Sequence, residues 1–286
     1  MRLVAGPGDI IAVESPTYYG FLQLIESLGM YAVEIPVNIL NGIEMDKFEA
    51  LINRNKIKAC ILISNFNNPM GFSVPDTNKK KIVEIITAKK VALIESDVYS
   101  DLYYDDHRPK TYKNFDKENL VFTCSSLSKT LSAGIRVGWV INSEYAKKIQ
   151  KQQFINTIAT PTITQLAVAI YLKEGSHERH LRIVRKILKN QLMEIKNMIL
   201  KYFPKGTKIS CPMGGFLLMV ELDKRIDSLE LYRLCLEEKN SIIPGIIQSP
   251  SDRFNNYIRL SYSYNDREEY EKHLVKLAGL IENFLA

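Results

Sequence analysis

The sequence predicts an α/β fold in which a mainly parallel sheet is covered by helices on both faces and is followed by a C-terminal α+β small domain. Short apolar runs alternate with helix-like segments in the first half, as is typical of parallel sheets that are buried on both faces. Beyond about residue 160 the pattern changes to long helices and short strands with turns. A chain of 286 residues has the length of about two domains. We therefore predict a large domain over residues 1–175, and a long connecting helix with the small domain over residues 176–286.

The apolar runs of the first half predict strands at residues 10–14, 31–35, 58–64, 91–94, 120–124 and 137–141. Helices are predicted between them at residues 19–28, 45–53 and 77–89. Gly29 is a helix stop, and Ile82, Ile85 and Ile86 have helical spacing in the last of these segments. In the second half we predict helices at 164–172, 177–202, 228–239 and 265–285, with strands at 208–210, 216–221 and 257–262.

Composition and charge exclude several classes of protein. Hydrophobic residues make up 46% of the chain and charged residues 24%, the balance of a soluble globular protein. The net charge of +6 is spread along the sequence, so we predict no nucleic-acid binding through this chain. No apolar run approaches the roughly 20 residues that cross a membrane, and the N-terminus lacks the pattern of a signal peptide. We expect a cytoplasmic protein without a metal site, because the cysteines and histidines are scattered: Cys60, Cys124, Cys211, Cys235, His107, His177, His180 and His273.

Three successive predicted strands end in polar clusters. The clusters are Asn67-Asn68-Pro69, Asp97-Val98-Tyr99 and Ser125-Ser126-Leu127-Ser128-Lys129, and the first strand of the chain ends near Tyr18. In a parallel sheet the carboxyl ends of the strands lie at one edge, and ligands bind there. We therefore expect these side chains to surround one ligand site.

The residue types in these clusters indicate a particular chemistry. A lysine at a strand end can form a Schiff base with a carbonyl if its surroundings lower its pKa, and Lys129 is so placed. The hydroxyls of Ser126 and Ser128 and the guanidinium of Arg136 can hold a phosphate. A pyridine ring acts as an electron sink while its nitrogen stays protonated, which requires a carboxylate such as Asp97. Taken singly, Lys129 is an ordinary surface lysine and Asp97 an ordinary strand-end turn residue.

Four further residues complete this candidate site. Asn68 and Tyr99 can hydrogen-bond a ring hydroxyl and an imine, and Tyr18 can stack on a flat ring. Arg259, on the last predicted strand, can hold a substrate carboxylate with two hydrogen bonds. Each has a structural alternative, since Asn-Pro is usually a turn and a tyrosine usually packs half-buried. The joint occurrence of all these residues in this order favours the functional reading.

Several motifs in this order resemble a known family: PGDIIAVESPTYYG, NNPMG, ESDVYSDLYYD, SSLSKTLSAGIRVGWV, GGF at Gly214–Phe216, and YIRLSYS. The chain resembles fold-type I pyridoxal-phosphate enzymes of the aminotransferase class I/II family. The similarity is greatest to the aminotransferase-like domain of MocR/GntR-type regulators and to 2-aminoadipate aminotransferases. The Ser-x-Ser-Lys segment with its later Gly-x-Arg is the most specific motif, and the resemblance covers almost the whole chain.

The resemblance implies a role for each candidate residue, with pyridoxal 5'-phosphate as cofactor. Lys129 matches the Schiff-base lysine, Asp97 the partner of the pyridine nitrogen, and Tyr99 a third catalytic position. The remaining matches are Asn68 and Tyr99 at the ring hydroxyl, Tyr18 at the stacking position, Ser126, Ser128 and Arg136 at the phosphate, and Arg259 with Asn68 at the substrate. A homodimer is also implied.

The sequence departs from the family pattern at three places. Met70 stands where threonine is common, and Ala133 where proline is usual. Family members also carry a segment before Pro7-Gly8-Asp9 that holds the first strand and helix of the large domain and a glycine-rich turn around the phosphate. We therefore expect a large domain that is incomplete at its N-terminus.

Two functions from different classes follow from the resemblance. The first is an aminotransferase that moves an amino group between an amino acid and a 2-oxo acid through a Lys129 Schiff base. The second is the effector-sensing domain of a MocR/GntR-type transcription regulator, which uses the same Schiff base without turnover. A truncated fragment with impaired cofactor binding is the third possibility.

Overall fold

In a computed structural model, residues 1–38, 42–54 and 56–285 are described. The strands of the first sheet are β1 Ile10–Ser15, β2 Tyr31–Asn38, β3 Gly42–Ile43, β4 Ile57–Ile63, β5 Ala92–Ser96, β6 Val121–Ser126 and β7 Gly138–Ile141. These seven strands have the order β3-β2-β1-β4-β5-β6-β7. The central pairs are parallel, whereas β3 and β7 are antiparallel to their neighbours. The carboxyl ends of β1, β4, β5 and β6 consequently lie at the same edge.

Helices pack on both faces of this sheet: α1 Tyr19–Ser27 on one, and α2 Met45–Arg54 and α3 Asp76–Lys89 on the other. Two exposed helices, α4 Ala146–Thr157 and α5 Thr162–Lys173, follow β7 in the chain. Alternate residues of a strand point to opposite faces. On one face the strand residue Leu62 packs in a buried cluster with Phe48 of α2 and Ile82 of α3. On the other face Ile61 packs with Ile25 of α1. The apolar runs of β1, β4 and β5 are therefore buried from both sides, as the sequence predicts, whereas β7 is exposed along its length.

The second sheet is small and antiparallel. The remaining elements are α6 Ser176–Tyr202, β8 Lys208–Ile209, β9 Leu217–Glu221, α7 Ser228–Glu237, β10 Ile243–Pro244, β11 Tyr257–Ser261 and α8 Arg267–Leu285. The strands have the order β10-β11-β9-β8. Leu192 and Ile195 of α6 pack with Leu277 and Ile281 of α8 and with Ile258 of β11 in one buried cluster. Ile258 thereby packs β11 against these helices, and the next residue of the strand, Arg259, reaches Asn68 of the large domain.

The predicted fold class is confirmed, and each predicted strand and helix is present with boundaries that differ by a few residues. Among the strands and α-helices of the described residues, three were not predicted: β3 and β10, which have two residues each, and the helix α4. The division into two domains at residues 175 and 176 stays a prediction. No helix in the described part of the chain is long and apolar enough to cross a membrane.

One side of the molecule exposes many apolar side chains. In β7, Trp139 is 41% exposed and Ile141 is 50% exposed, and Ile163 of α5 is 83% exposed. An apolar cavity of about 530 Å³ opens beside β7 and is lined by residues that include Phe122 and Ile149. Within the described residues, β7 pairs only with β6. We call the exposed surface of β7, α4 and α5 the β7 face.

Candidate active site

The polar clusters predicted at the strand ends do lie side by side. The segment after β5 is joined to the end of β6, because the Asp97 amide donates to the Cys124 carbonyl at 2.8 Å and Ser125 Oγ donates to the Asp97 carbonyl at 2.7 Å. The segment after β4 reaches the same edge, where the Asn68 side chain hydrogen-bonds the Tyr99 hydroxyl. Because β4, β5 and β6 are neighbouring parallel strands, the three segments that follow them lie together at one edge of the sheet.

Arg259 brings the small sheet into this site. Its Nη1 donates a 2.9 Å hydrogen bond to Asn68 Oδ1. Burial raises the pKa of the Tyr99 hydroxyl to about 12, although the positive charge of Arg259 opposes that rise. Asn68 and Tyr99 are both buried, and Arg259 is partly exposed. The hydrogen bond to Asn68 therefore holds Nη1 of the guanidinium group in place, while the exposed part of the group remains accessible to an anion.

Lys129 lies in the turn that follows β6, and its side chain is accessible to solvent. The turn is closed by the amides of Leu131 and Ser132, which both donate to the Leu127 carbonyl. Partial burial lowers the pKa of the Lys129 amine, and the positive charges of Arg259 and Arg136 lower it further. A lower pKa leaves more of the amine in the neutral, nucleophilic form. His180, on α6, makes a 2.9 Å hydrogen bond with the carbonyl of Thr130 and so fixes the turn from behind.

Two hydroxyls and a guanidinium group meet on the same turn. The Ser128 amide donates to Ser126 Oγ at 3.4 Å, and Arg136 Nη1 donates to Ser128 Oγ at 3.4 Å and to the Ala133 carbonyl at 3.2 Å. Gly138 pairs with Ser126 across β6 and β7, and a Cβ atom at Gly138 would lie 2.8 Å from the Ser125 carbonyl oxygen. Glycine therefore allows the close strand pairing that sets the position of these donors.

Asp97 is 7% exposed and has two donors on its carboxylate. Ser100 Oγ donates to Oδ1, and Arg108 Nη2 donates to Oδ2 at 2.6 Å. Burial raises the pKa of Asp97, while the charge of Arg108 and the Ser100 hydrogen bond lower it. An ionised carboxylate has about four acceptor positions, so Asp97 can take a further donor.

Tyr18 immediately precedes α1 and lies half-buried at the edge of the site. Its ring contacts that of Tyr19, with centroids 4.9 Å apart, and that of Phe21 at 5.4 Å. Tyr18 and Tyr19 both lie close enough to Arg259 to raise the pKa of its guanidinium group, against the larger lowering by burial. The stacking role predicted for Tyr18 stays a prediction, and Tyr19 is a neighbour of Arg259 that sequence reasoning missed.

A buried glutamate supports the turn that carries Asn68. Glu14, at the end of β1, is fully buried, and its Oε2 accepts from the Ile63 amide at 3.1 Å and from Asn67 Nδ2 at 2.8 Å. Asn67 Oδ1 in turn accepts from the Met70 amide at 3.1 Å. Burial raises the pKa of Glu14 to about 8, although these two hydrogen bonds oppose the rise. Sequence reasoning missed Glu14, for which the signal was a carboxylate at the end of an apolar strand.

A model of a known protein family matches almost the whole chain. Residues 1–277 match the model of aminotransferase class I and II. The chain belongs to the aminotransferase class I and II family. The matched region includes β4, β5, β6 and β11, and therefore every residue of the candidate site.

Relatives within the aminotransferase class I and II family include regulators and enzymes. The chain is 35% identical over 98% of its length to the uncharacterized HTH-type transcriptional regulator YjiR of Escherichia coli, and 33% identical over its whole length to YdcR of the same organism. It spans about three-fifths of the length of these two regulators, namely 60% and 61%.

A solved structure of an enzyme from the same family superposes on the whole fold. It is the crystal structure of LysN, the alpha-aminoadipate aminotransferase of Thermus thermophilus, complexed with N-(5'-phosphopyridoxyl)-L-leucine. The TM-score is 0.93 at 26% identity, with 99% of this chain and 74% of that chain covered. The resemblance that the sequence motifs indicated, to MocR-type regulators and to 2-aminoadipate aminotransferases, is thus confirmed.

The raised pKa of Glu14 predicts a pH-dependent stability. Between its ordinary value of 4.5 and about 8, the folded protein holds a proton that the unfolded chain releases. This contribution is present at low pH and is lost as the pH rises through about 8. The free energy of unfolding of the unmodified protein should therefore decrease between these pH values. Glu14→Gln mimics the protonated side chain and does not titrate, so its decrease should be smaller by at least about 1 kcal/mol.

Urea unfolding at about pH 5 and about pH 9 measures this difference. The variant keeps an acceptor for Ile63 and Asn67, so its fold should persist. Equal pH slopes for the two proteins would show that Glu14 is ionised in the folded state and that the prediction is wrong.

Proposed function

We propose that this chain binds pyridoxal 5'-phosphate through Lys129 and an amino acid through Arg259, and acts as the amine-sensing part of a transcription regulator. The observation that carries the proposal is the position of the Lys129 amine, with its lowered pKa, close to the anchored guanidinium group of Arg259. The sensing role is favoured by the identity of 35% and 33% to two HTH-type regulators. Because the chain spans three-fifths of those proteins, the role concerns a part of such a regulator.

The residues at the strand ends fit the ring of this cofactor. Ser100 and Arg108 each donate to one oxygen of the Asp97 carboxylate, and acceptor positions remain for a protonated ring nitrogen. Asn68 and Tyr99 are buried beside Asp97 and offer an amide and a hydroxyl to the ring oxygen. Ser126, Ser128 and Arg136 offer donors to the phosphate from the turn that also carries Lys129.

Each of these side chains has a definite task. Pyridoxal phosphate, when bound, supplies an electron sink for the bonds at the amino acid Cα. Lys129 would hold the cofactor through its neutral amine, and that amine, when free, could accept a proton. Asp97 keeps the ring nitrogen protonated through its negative charge. Arg259 binds the amino acid carboxylate and fixes the orientation of Cα.

Amino transfer is the second candidate function. The similarity to the alpha-aminoadipate aminotransferase of Thermus thermophilus favours it, because that enzyme has the same fold over 99% of this chain. The two functions need the same binding residues and differ in whether Lys129 moves a proton from Cα to the cofactor carbon. Sustained transfer of the amino group to a 2-oxo acid distinguishes the enzyme from the sensor. A fragment with impaired cofactor binding would instead unfold cooperatively but bind pyridoxal phosphate weakly.

We also propose that the β7 face is covered by protein in a homodimer. Apolar side chains of α5 project from this face, with Ile163 83% exposed, Leu166 59% exposed and Ile170 59% exposed. Contiguous apolar patches of this kind mark interaction surfaces. Trp139 and Ile141 of β7 are exposed as well, and within the described residues one edge of β7 has no partner strand.

Borohydride labelling tests the covalent bond to Lys129. Pyridoxal phosphate added to the purified protein should give the yellow absorbance of a protein-bound imine, and reduction should leave a phosphopyridoxyl group on Lys129, identified by peptide mass spectrometry. Lys129→Ala should lose both signals, whereas Lys80→Ala, at an exposed position of α3, should keep them. A label spread over several surface lysines would contradict the proposal.

Arg259 should control the response to amino acids. In the cofactor-loaded protein we expect Arg259→Leu to weaken amino acid binding, measured by the change in absorbance, by roughly ten- to a hundredfold, because it removes charged hydrogen bonds to the carboxylate. Arg233→Leu, at an exposed position of α7, is a control that also removes an arginine from the second half of the chain. Equal amino acid affinities in Arg259→Leu and the unmodified protein would refute this carboxylate site. Net turnover with a 2-oxo acid would favour the enzyme over the sensor.

A further inference from the structure

A buried lysine lies behind the candidate site, on a helix that faces the sheet. Lys79 of α3 is 1% exposed and shares the apolar side of the helix with Ile82 and Ile86. Its Nζ donates to Asn65 Oδ1 at 2.7 Å and to the Lys110 carbonyl at 2.7 Å. A lysine in so dry a position is rare unless its charge is paired or hydrogen-bonded.

The hydrogen bonds run from Lys79 to Asp97 in a single direction. Lys79 as an ammonium group can only donate, so the oxygen of the Asn65 amide must face it. The nitrogen of that amide then faces Ser100 and donates to its Oγ at 2.9 Å. Because Ser100 Oγ accepts this bond, its own proton is free to go to Asp97 Oδ1, where the structure has a hydrogen bond.

These contacts give Asp97 donors on both oxygens. Ser100 donates to Oδ1, and Arg108 donates to Oδ2. Neither partner accepts a proton from Asp97 in this arrangement, so the network favours the ionised carboxylate. We propose that Lys79 is a positioning residue that acts through Asn65 and Ser100 to hold the Asp97 carboxylate ionised and correctly oriented for a cationic ring nitrogen.

The charges around Lys79 are compatible with this role. Asp76 faces it from the first turn of α3, with Oδ1 3.8 Å from Nζ, and Glu95 and Asp97 face it from β5 and the segment that follows. Arg108 is the positive group on the far side of Asp97. Burial lowers the pKa of Lys79 to about 8, while Asp76, Glu95 and Asp97 oppose that change. At neutral pH most of the lysine is therefore protonated.

The proposal rests on the proposed function, because an ionised Asp97 is needed there to pair with the cationic ring nitrogen of the cofactor. Its immediate effect, however, belongs to this chain alone and can be measured without cofactor. Removal of the ammonium group leaves Asn65 Oδ1 without this donor. The amide is then held from its nitrogen, which donates to Ser100 Oγ and to the Lys110 carbonyl, both at 2.9 Å, and the donation from Ser100 to Asp97 is set less firmly. The burial that already raises the pKa of Asp97 would then be opposed mainly by Arg108.

The experiment is a carbon-13 NMR titration of the Asp97 carboxyl group in the cofactor-free protein. The Asp97 signal is assigned by its loss in Asp97→Asn, and the pKa is followed from about pH 3 to about pH 9. In Lys79→Met we expect the pKa of Asp97 to rise by about one unit. Lys79→Gln should raise it by a smaller amount, because its amide can still donate to Asn65 and only the positive charge is lost. Lys80→Met, which changes an exposed lysine of the same helix, should leave it unchanged.

A purely structural role for Lys79 makes a different forecast. It would lower the melting temperature of the Lys79 variants without moving the pKa of Asp97, and that result would overturn the proposal. If Lys79→Met does not fold, the milder Lys79→Gln decides between the two outcomes. A failure of Lys129 labelling would count against the proposed function and would leave the NMR result standing, so the two failures are distinguishable.

Discussion

The candidate site depends on one buried carboxylate, Asp97, staying ionised at the end of β5. Burial alone works against this, because it raises the pKa of the group. The opposing contributions come from Arg108 and Ser100, which donate to the two oxygens. In the proposed function, a charged carboxylate at this point pairs with a cationic ring nitrogen, and Asn68 and Lys129 at the neighbouring strand ends bind the same ligand.

The site is also built across the two sheets. Arg259 of β11 donates to Asn68 beyond β4, so that the small sheet supplies the proposed carboxylate-binding group and the large sheet supplies the lysine. A second contact joins the two sheets near Tyr18: Glu34 of β2 accepts hydrogen bonds from Ser251 Oγ at 3.0 Å and from Arg253 Nη2 at 2.5 Å. Relative movement of the sheets would change the distance between Arg259 and Lys129, and this contact opposes such movement.

Sequence reasoning recovered the elements with strong periodicity and missed those without it. The buried strands β4 and β5 are continuous apolar runs, whereas β3 and β10 are too short to show any pattern, and α4 is an exposed helix without a buried side. Lys129, Asp97 and Asn68 were predicted because they directly follow apolar strands. Arg108 and Lys79 were not, because only tertiary contacts bring them to Asp97. The one available signal for Lys79 was a lysine on the same helical side as Ile82 and Ile86.

The most direct test of this account is a crystal structure of the protein soaked with pyridoxal 5'-phosphate. We predict continuous electron density from Lys129 Nζ to the cofactor carbonyl carbon, with the ring nitrogen in hydrogen-bond contact with Asp97 and the phosphate beside Ser126, Ser128 and Arg136. A ring bound elsewhere, or bound here with its nitrogen turned away from Asp97, would contradict the account.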